Sequence, residues 1–289
     1  MQKWVISLFA VILVSSLYAE KITAGLYDPI LSARVSKKDY VMGMNVFLKE
    51  IVQNEGIDAE TISYDDPVKL SHDFESGKLN MIVCDPLTIV ENVPYKYLDN
   101  GIMGYKYNET DSMTLLVLVN AEDNRPLSEQ LHGNIAMDGD TSAELFLKTL
   151  MLQNGITQNP NLIATKNPQQ SILKLFFHKV DITLIDRGSF LTAVELNPQI
   201  KTKTKILQSI PLTLGSVSYM RKGMSKELQQ KIFALGKRMN TTPRGKQLLA
   251  LFHGNYMGEC DPKELMSIYA LKKEYETLRN AKSLHRNIR

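Results

Sequence analysis

The sequence predicts an α/β fold made of two lobes with a hinge and a cleft between them. Strand-like and helix-like segments alternate along most of the chain, which is typical of parallel sheets with helical connections. Longer extended segments at 95–120 and 206–220 interrupt this alternation. Two α/β blocks joined by two such crossings indicate two lobes, and a cleft between lobes is a common place for a small ligand.

The first block contains three predicted strands and three predicted helices. Its strands are expected at 21–26, 61–64 and 81–84, and its helices at 39–54, 67–75 and 86–92. The run at 81–84 is continuously apolar, as strands buried on both faces of a parallel sheet are. This block is therefore expected to form the first part of lobe 1.

The second block repeats the same alternation. Its strands are expected at 134–137, 162–164 and 182–185, its helices at 141–154, 168–176 and 188–195, and three closing helices at 225–238, 243–253 and 261–279. We expect the closing part of the chain to return to the first lobe. The expected organisation is a signal peptide at 1–19, lobe 1 at 20–115, lobe 2 at 116–215 and completion of lobe 1 at 216–289.

The amino-terminal segment has the features of a cleaved signal peptide. Lys3 precedes an apolar run at 4–14, and Ala19 is a small residue at a suitable cleavage point. The run is shorter than the about 20 residues that a transmembrane helix needs. An uncleaved anchor is the alternative, but the pattern favours a protein that works outside the cytoplasm, in the periplasm.

Composition excludes several classes of protein. The formal net charge is +3, and it falls to +2 when Lys3 leaves with the signal peptide. A nucleic-acid-binding protein normally has a basic stripe, so no nucleic-acid partner is expected. Two cysteines, Cys84 and Cys260, are too few for a disulfide scaffold.

The carboxyl ends of the predicted strands supply the candidate site residues, because ligands bind there in open α/β sheets. They are Tyr27, Asp28, Cys84, Asp85, Asp138, Asp140, Thr141, Ser142, Asp186 and Arg187. Five of these are aspartates. An acidic cleft of this kind suits an oxyanion that keeps a proton, a ligand with an amine, or a cation.

The predicted helix at 141–154 allows two interpretations of its first turn. Thr141 and Ser142 provide hydroxyls beside free backbone N–H groups, which together can hold an anion. Thr141 and Glu144 also have the spacing of a capping box, which would make them an ordinary helix start. Asp186 is likewise either a solvated loop residue or an acceptor inside the cleft.

Cys84 has three possible roles. It is a small buried hydrophobe, one half of a disulfide with Cys260, or a thiolate ligand for a soft metal or metalloid. Sequence motifs of nucleotide-binding loops, zinc proteases and serine hydrolases do not occur, and the five histidines lack metal-ligand spacing. We therefore expect no enzyme activity, no cofactor and no metal site.

Several stretches resemble one family of binding proteins. They are KITAGLYDPIL, NMIVCDPLTIV, GNIAMDGDTSAELFLKTLM, KVDITLIDRGSF and VSYMRKGMSKELQQKIFALGKRMNTTPRGKQLLALF. Their order is similar to that in the PhnD-like periplasmic solute-binding proteins for phosphonate, phosphite and phosphate, which have the type 2 periplasmic binding protein fold. The resemblance covers nearly all of the chain after the signal peptide.

The resemblance implies a function and a set of ligand-binding residues. It implies a solute-binding protein that delivers a small phosphorus oxyanion to an ABC permease in the inner membrane. Thr141 and Ser142 match the family's hydroxyl-rich turn, which has Asp140 before it here, and Asp186 matches its acceptor. The expected ligand-binding residues are Tyr27, Cys84, Asp85, Asp140, Thr141, Ser142 and Asp186.

We expect the protein to be a monomer, and the resemblance leaves one alternative for its function. Some relatives are sensors for a membrane histidine kinase, including ones that respond to arsenite. The family often has an aromatic residue where this chain has Cys84. The alternative is therefore a periplasmic ligand sensor that docks on a kinase or receptor, with Cys84 binding a metalloid.

Overall fold

The structure is a computed structural model that describes residues 21–27, 42, 57–106, 113–251 and 256–286. The predicted signal peptide at 1–19 lies outside the described residues. The predicted helix at 39–54 also lies outside them, except for Met42, which is helical.

The described strands form two separate sheets. They are β1 (Lys21–Tyr27), β2 (Asp58–Ser63), β3 (Met81–Cys84), β4 (Leu98–Lys106), β5 (Thr114–Asn120), β6 (Asn134–Met137), β7 (Asn161–Ala164), β8 (Ile182–Asp186), β9 (Thr204–Pro211), β10 (Val217–Arg221) and β11 (Tyr256–Cys260). The first sheet has the order β11-β4-β10-β3-β1-β2, and the second has the order β7-β6-β8-β5-β9.

Both sheets combine parallel and antiparallel pairs. In the first sheet β1 is parallel to β2 and β3, while β10 lies antiparallel between β3 and β4. In the second sheet β6 is parallel to β7 and β8, while β5 is antiparallel to β8 and β9. The chain passes from the first sheet to the second between β4 and β5, and it returns between β9 and β10. The predicted α/β fold with two lobes is therefore confirmed, while the residue boundaries of the lobes stay a prediction.

Helices connect most of these strands. They are α1 (Pro67–Glu75), α2 (Pro86–Asn92), α3 (Leu127–Gln130), α4 (Thr141–Gln153), α5 (Pro168–Phe176), α6 (Arg187–Leu196), α7 (Gln199–Lys203), α8 (Lys226–Thr241), α9 (Pro243–Leu251) and α10 (Met266–Arg286). Among the helices described, none combines the length and the apolarity that crossing a bilayer requires.

Side-chain caps define where many of these helices begin. Five Asp or Asn side chains each precede a helix and accept a hydrogen bond from an N–H of its first turn. They belong to Asp66, Asp85, Asp140, Asn167 and Asp186. In α1, α2 and α5 a proline occupies the start of the helix, where its missing N–H is not needed. These strong local signals explain why helix starts were predictable from the sequence.

Most predicted elements agree with the structure, and three were not predicted. The strand at 81–84 and the helix at 67–75 match β3 and α1. The extended segment at 95–120 contains a 3₁₀ turn (Tyr95–Tyr97) before β4 and β5, and the segment at 206–220 lies within β9 and β10 and the connection between them. The edge strand β11 and the short helices α3 and α7 were not expected.

One hydrophobic cluster extends through both lobes. It includes Ile82 and Leu70 of the first lobe, Val117 of the second, and Ile268 of α10. Helix α10 packs against α2 and α4. The side-chain amide of Gln153 in α4 donates to the carboxylate of Glu274 in α10 over 2.7 Å. The carboxyl-terminal helix therefore joins elements of both lobes.

Candidate functional site

The polar residues that follow the strands meet where the two lobes face each other. Tyr27 ends β1 and pairs with Cys84 at the end of β3, which Asp85 follows. Asp138 follows β6, and Asp186 ends the neighbouring parallel strand β8. Asp28, another candidate from the sequence, lies outside the described residues. The role of the candidate residues in ligand binding stays a prediction.

Asp85 connects the two lobes directly. Its side chain is 2% exposed and caps α2, where Oδ1 accepts from the Thr88 N–H at 3.0 Å and Oδ2 accepts from the Thr88 hydroxyl at 2.6 Å. Oδ1 also accepts from the Thr141 hydroxyl at the start of α4, over 2.8 Å. A buried carboxylate of the first lobe is thus bonded to the first helical residue of the second lobe's α4.

Asp140, not Thr141, caps α4. Its Oδ1 accepts from the Ala143 N–H at 2.8 Å, and its Oδ2 accepts from the Gly215 N–H at 2.6 Å. The predicted capping box of Thr141 and Glu144 is therefore wrong. The Thr141 hydroxyl donates a hydrogen bond to Asp85, and Glu144 instead forms an ion pair with Lys148 over 2.6 Å.

The Asp140 carboxyl group is electrostatically perturbed. Burial, together with the charges of Asp138 and Asp85, raises its pKa to about 7, against the lowering effect of its two backbone hydrogen bonds. Near neutral pH this group therefore exists in both protonation states. The bond from the Gly215 N–H was not predicted from the sequence. Gly215 has a φ of 68°, which favours glycine, and the Leu-Gly-Ser sequence of the returning crossing was its only signal.

Ser142 has the most unusual environment of the candidates. Its side chain is 0% exposed, and its Oγ has no hydrogen-bond partner among the residues that the structure describes. A buried hydroxyl normally has a partner, because its desolvation is otherwise uncompensated. It is the second residue of α4, beside the N–H groups of the first turn, where anions bind. An incoming ligand oxygen would supply the partner that Ser142 lacks.

Asp186 caps α6 and is therefore not a solvated loop residue. Its Oδ1 accepts from the Ser189 N–H at 2.7 Å. Burial raises the pKa of Asp186, the bonds from Ser189 oppose that effect, and the negative charge of Asp138 adds to it. Because Asp138 acts on both Asp186 and Asp140, the ends of β6 and β8 form one electrostatic environment.

Tyr27 lies on the first-lobe side of this environment. Its side chain is half-buried and packs against the main core. Burial raises the pKa of Tyr27, and the charges of Asp85 and Asp66 raise it as well. The phenol therefore remains protonated across the ordinary pH range and can donate a hydrogen bond.

Cys84 belongs to the core. Its side chain is 0% exposed and is part of the main hydrophobic cluster, which favours the interpretation as a small hydrophobe. No disulfide joins Cys84 to Cys260, because β4 and β10 separate their strands. Within the described ranges, no group of three or more His, Cys, Asp or Glu side chains is placed to hold a metal ion.

Solved structures show which fold this arrangement belongs to. A binding protein component of an ABC phosphonate transporter from Pseudomonas aeruginosa is 14% identical, with a TM-score of 0.55, and the match covers 91% of this chain and 89% of that one. PhnD1 from Prochlorococcus marinus, in complex with methylphosphonate, is 10% identical, with a TM-score of 0.56, over 89% of this chain and 99% of that one. XAC2383 from Xanthomonas citri, bound to chloride ion, is 13% identical, with a TM-score of 0.55, over 90% of this chain and 99% of that one. At such low identity these similarities establish the two-lobed fold alone.

The family is established by sequence. Residues 30–263 match the family described as ABC transporter, phosphonate, periplasmic substrate-binding protein. No curated protein sequence matches the chain significantly. Because the family match covers well over half of the chain, this protein belongs to the phosphonate-binding family of periplasmic substrate-binding proteins of ABC transporters.

Proposed function

We propose that this protein binds a small phosphorus oxyanion, of the phosphonate, phosphite or phosphate class, between its two lobes and delivers it to an ABC permease. The observation that carries the proposal is the Ser142 hydroxyl, which is fully buried at the start of α4 and has no partner within the described ranges. The complex of the Prochlorococcus marinus relative with methylphosphonate supports the ligand class. The proposed site has four parts.

Two of these parts belong to α4. The Ser142 hydroxyl and the N–H groups of Thr141 and Ser142 donate to the oxyanion, and the positive end of the helix dipole adds to the attraction. Asp140 fixes this helix start through its bonds to Ala143 and Gly215, so its carboxyl oxygens already have partners. Asp140 therefore shapes the site and the Ser142 hydroxyl contacts the ligand.

The other two parts approach the ligand from other elements. Asp186, at the end of β8, accepts from a protonated ligand oxygen or an amine. Tyr27 packs from the first lobe and donates through its phenol. With closure over the ligand, the two lobes exclude water from these hydrogen bonds.

The biological setting follows from the family. We propose that residues 1–19 direct the chain to the periplasm, and that the monomeric protein has no enzyme activity. The alternative of a metalloid sensor has less support, because the Cys84 side chain is 0% exposed within the core.

The experiment is a thermal melt of the protein lacking residues 1–19, followed with a hydrophobic dye. The ligand panel contains phosphate, phosphite, methylphosphonate, 2-aminoethylphosphonate and sulfate, and also arsenite under reducing conditions. A ligand at a hundred times its Kd is expected to stabilise the folded protein by about 2.7 kcal/mol. This corresponds to an increase in Tm of several degrees for a chain of this size. A shift with at least one phosphorus oxyanion supports the proposal, and no shift with any of them contradicts it.

A substitution then tests the site. Asp186→Asn keeps a residue that caps helices well but removes the charge, so we expect it to reduce the ligand-induced shift. The matched control is Asp66→Asn, which makes the same change at the cap of α1. If the two variants gave equal ligand-induced shifts, Asp186 would not contact the ligand.

A further inference from the structure

The bond between Thr141 and Asp85 determines what Thr141 can offer a ligand. Asp85 receives three hydrogen bonds, from the N–H and hydroxyl of Thr88 and from the hydroxyl of Thr141. A carboxylate only accepts, so the Thr141 hydroxyl must be the donor in their 2.8 Å contact. A hydroxyl has one proton to donate. Thr141 therefore has only acceptor capacity left for a ligand.

The adjacent hydroxyl has the opposite capacity. Ser142 Oγ has no partner in the described part of the chain, so its proton remains available for a ligand oxygen. The start of α4 thus presents one donor hydroxyl and one acceptor hydroxyl in consecutive residues. Each oxygen of the Asp140 carboxyl group already accepts one N–H, from Ala143 and from Gly215.

We propose that Asp85, acting through Thr141, makes this site select oxyanions that still carry a proton over oxyanions of the same shape and charge that carry none. A protonated oxyanion donates its O–H to Thr141 Oγ1 and accepts from Ser142, whereas an oxyanion without a proton leaves the Thr141 oxygen facing a negative oxygen. Asp85 is a positioning residue here, since it holds the orientation of the Thr141 hydroxyl. This inference rests on the proposed function.

The selection is coupled to the approach of the two lobes. Asp85 lies in the first lobe and Thr141 in the second, so their bond exists only in an arrangement like the present one. A ligand with a single proton can satisfy only one acceptor. Asp186 and Thr141 are therefore alternative acceptors for that proton, and an oxyanion without a proton satisfies neither of them.

The experiment compares two monoanions by isothermal titration calorimetry. Methylphosphonate at mildly acidic pH keeps one proton, and methanesulfonate has nearly the same shape and charge but no proton. We expect the wild type to bind methylphosphonate at least about a hundred times more tightly, since a site built around a ligand hydroxyl rejects the analogue without it. This comparison needs no variant and so does not depend on the folding of one.

Substitutions identify the residue responsible. Asp85→Ser retains a residue that caps α2 but removes the carboxylate, so the Thr141 proton is released to donate. We expect the ratio of the two Kd values to fall by about tenfold or more. The matched control, Asp66→Ser, makes the same change at the cap of α1 and should leave the ratio unchanged. In a Thr141→Val background, Asp85→Ser should no longer alter the ratio.

The outcomes separate this inference from the proposed function. If no phosphorus oxyanion binds the wild type, the proposed function fails and this inference fails with it. If methylphosphonate and methanesulfonate bind equally well, the inference is overturned while oxyanion binding stands. An unchanged ratio in Asp85→Ser, or a change that persists in the Thr141→Val background, would also overturn it.

Discussion

The substitution Ser142→Ala should stabilise the unliganded protein. The Ser142 side chain is 0% exposed, and no described residue forms a hydrogen bond with its hydroxyl. Such a buried group costs about 1–3 kcal/mol, and alanine favours a helix over serine by about 0.5 kcal/mol. We expect the free energy of unfolding to rise by about 1 kcal/mol or more, which corresponds to an increase in Tm of about 2–4 °C per kcal/mol for a chain of this size.

The same substitution should weaken ligand binding. A hydrogen bond to a charged group contributes about 1.5–3 kcal/mol, so removal of the Ser142 hydroxyl should raise the Kd about ten- to a hundred-fold. At a hundred times the wild-type Kd, the wild type gains about 2.7 kcal/mol from the ligand, and the variant should gain only about 0.4–1.4 kcal/mol. The substitution should therefore raise the stability of the unliganded protein and lower the stabilisation by the ligand. A general disruption of the fold would not produce this combination.

Dye-based melts with and without methylphosphonate measure both effects. The only tryptophan, Trp4, lies in the segment at 1–19, so intrinsic tryptophan fluorescence is not a suitable probe. The matched control is Thr149→Val on the same helix. The Thr149 side chain is 1% exposed and its hydroxyl donates to the Leu145 carbonyl at 2.8 Å, so its loss should destabilise the protein and leave the ligand shift intact. If Ser142→Ala lowered the Tm as Thr149→Val does, or kept the full ligand shift, the assignment of Ser142 would be refuted.

Three further predictions concern stability. The free energy of unfolding should fall as the pH rises from about 4 to about 7. The reason is that the folded protein keeps a proton on Asp140, whose pKa is about 7, whereas the unfolded chain releases this proton near the ordinary pKa of 3.8. Urea titrations over this range should show that the free energy of unfolding depends less on pH in Asp140→Asn than in the wild type. Ile268→Ala should cost about 2–5 kcal/mol in the same titrations, since this α10 side chain is 0% exposed in the shared core, and a loss of less than 1 kcal/mol would mean that α10 is not docked in solution. Gly101→Ala should prevent stable folding, as followed by circular dichroism, because its Cβ would overlap the Ser218 carbonyl oxygen of the neighbouring strand; a wild-type melting curve would show that β4 and β10 are not this close.

Local signals explain the parts of the fold that were predictable. The helix at 67–75 begins with proline after an aspartate cap, and the strand at 81–84 is continuously apolar, so both were located correctly. The strand β11 was missed because its sequence, Tyr-Met-Gly-Glu-Cys, has no regular alternation, and its pairing with β4 depends on residues far away in the chain. Helix α7 was missed because five residues show too little periodicity.

The candidate site was predictable only to the level of strand ends. The rule that ligands lie beyond the carboxyl ends of strands selected Asp85, Thr141 and Asp186 as candidates, and their role in binding a ligand stays a prediction. It could not show that Asp85 and Thr141, 56 positions apart, share a hydrogen bond. The local spacing of Thr141 and Glu144 favoured a capping box, but that long-range bond and the Asp140 cap compete with it. The lack of a partner for the Ser142 hydroxyl depends on the packing around α4, which no sequence pattern encodes.

The position of β10 has a consequence for the biogenesis of the protein. This strand lies between β3 and β4 in the first sheet, although it follows both of them by more than a hundred residues and comes after the whole second sheet. A nascent chain therefore cannot complete its first sheet while it is still being synthesised, and pairing of such distant segments makes folding slow. For a family whose members work in the periplasm, this strand order would delay premature folding and keep the polypeptide in a form that a secretion channel can thread.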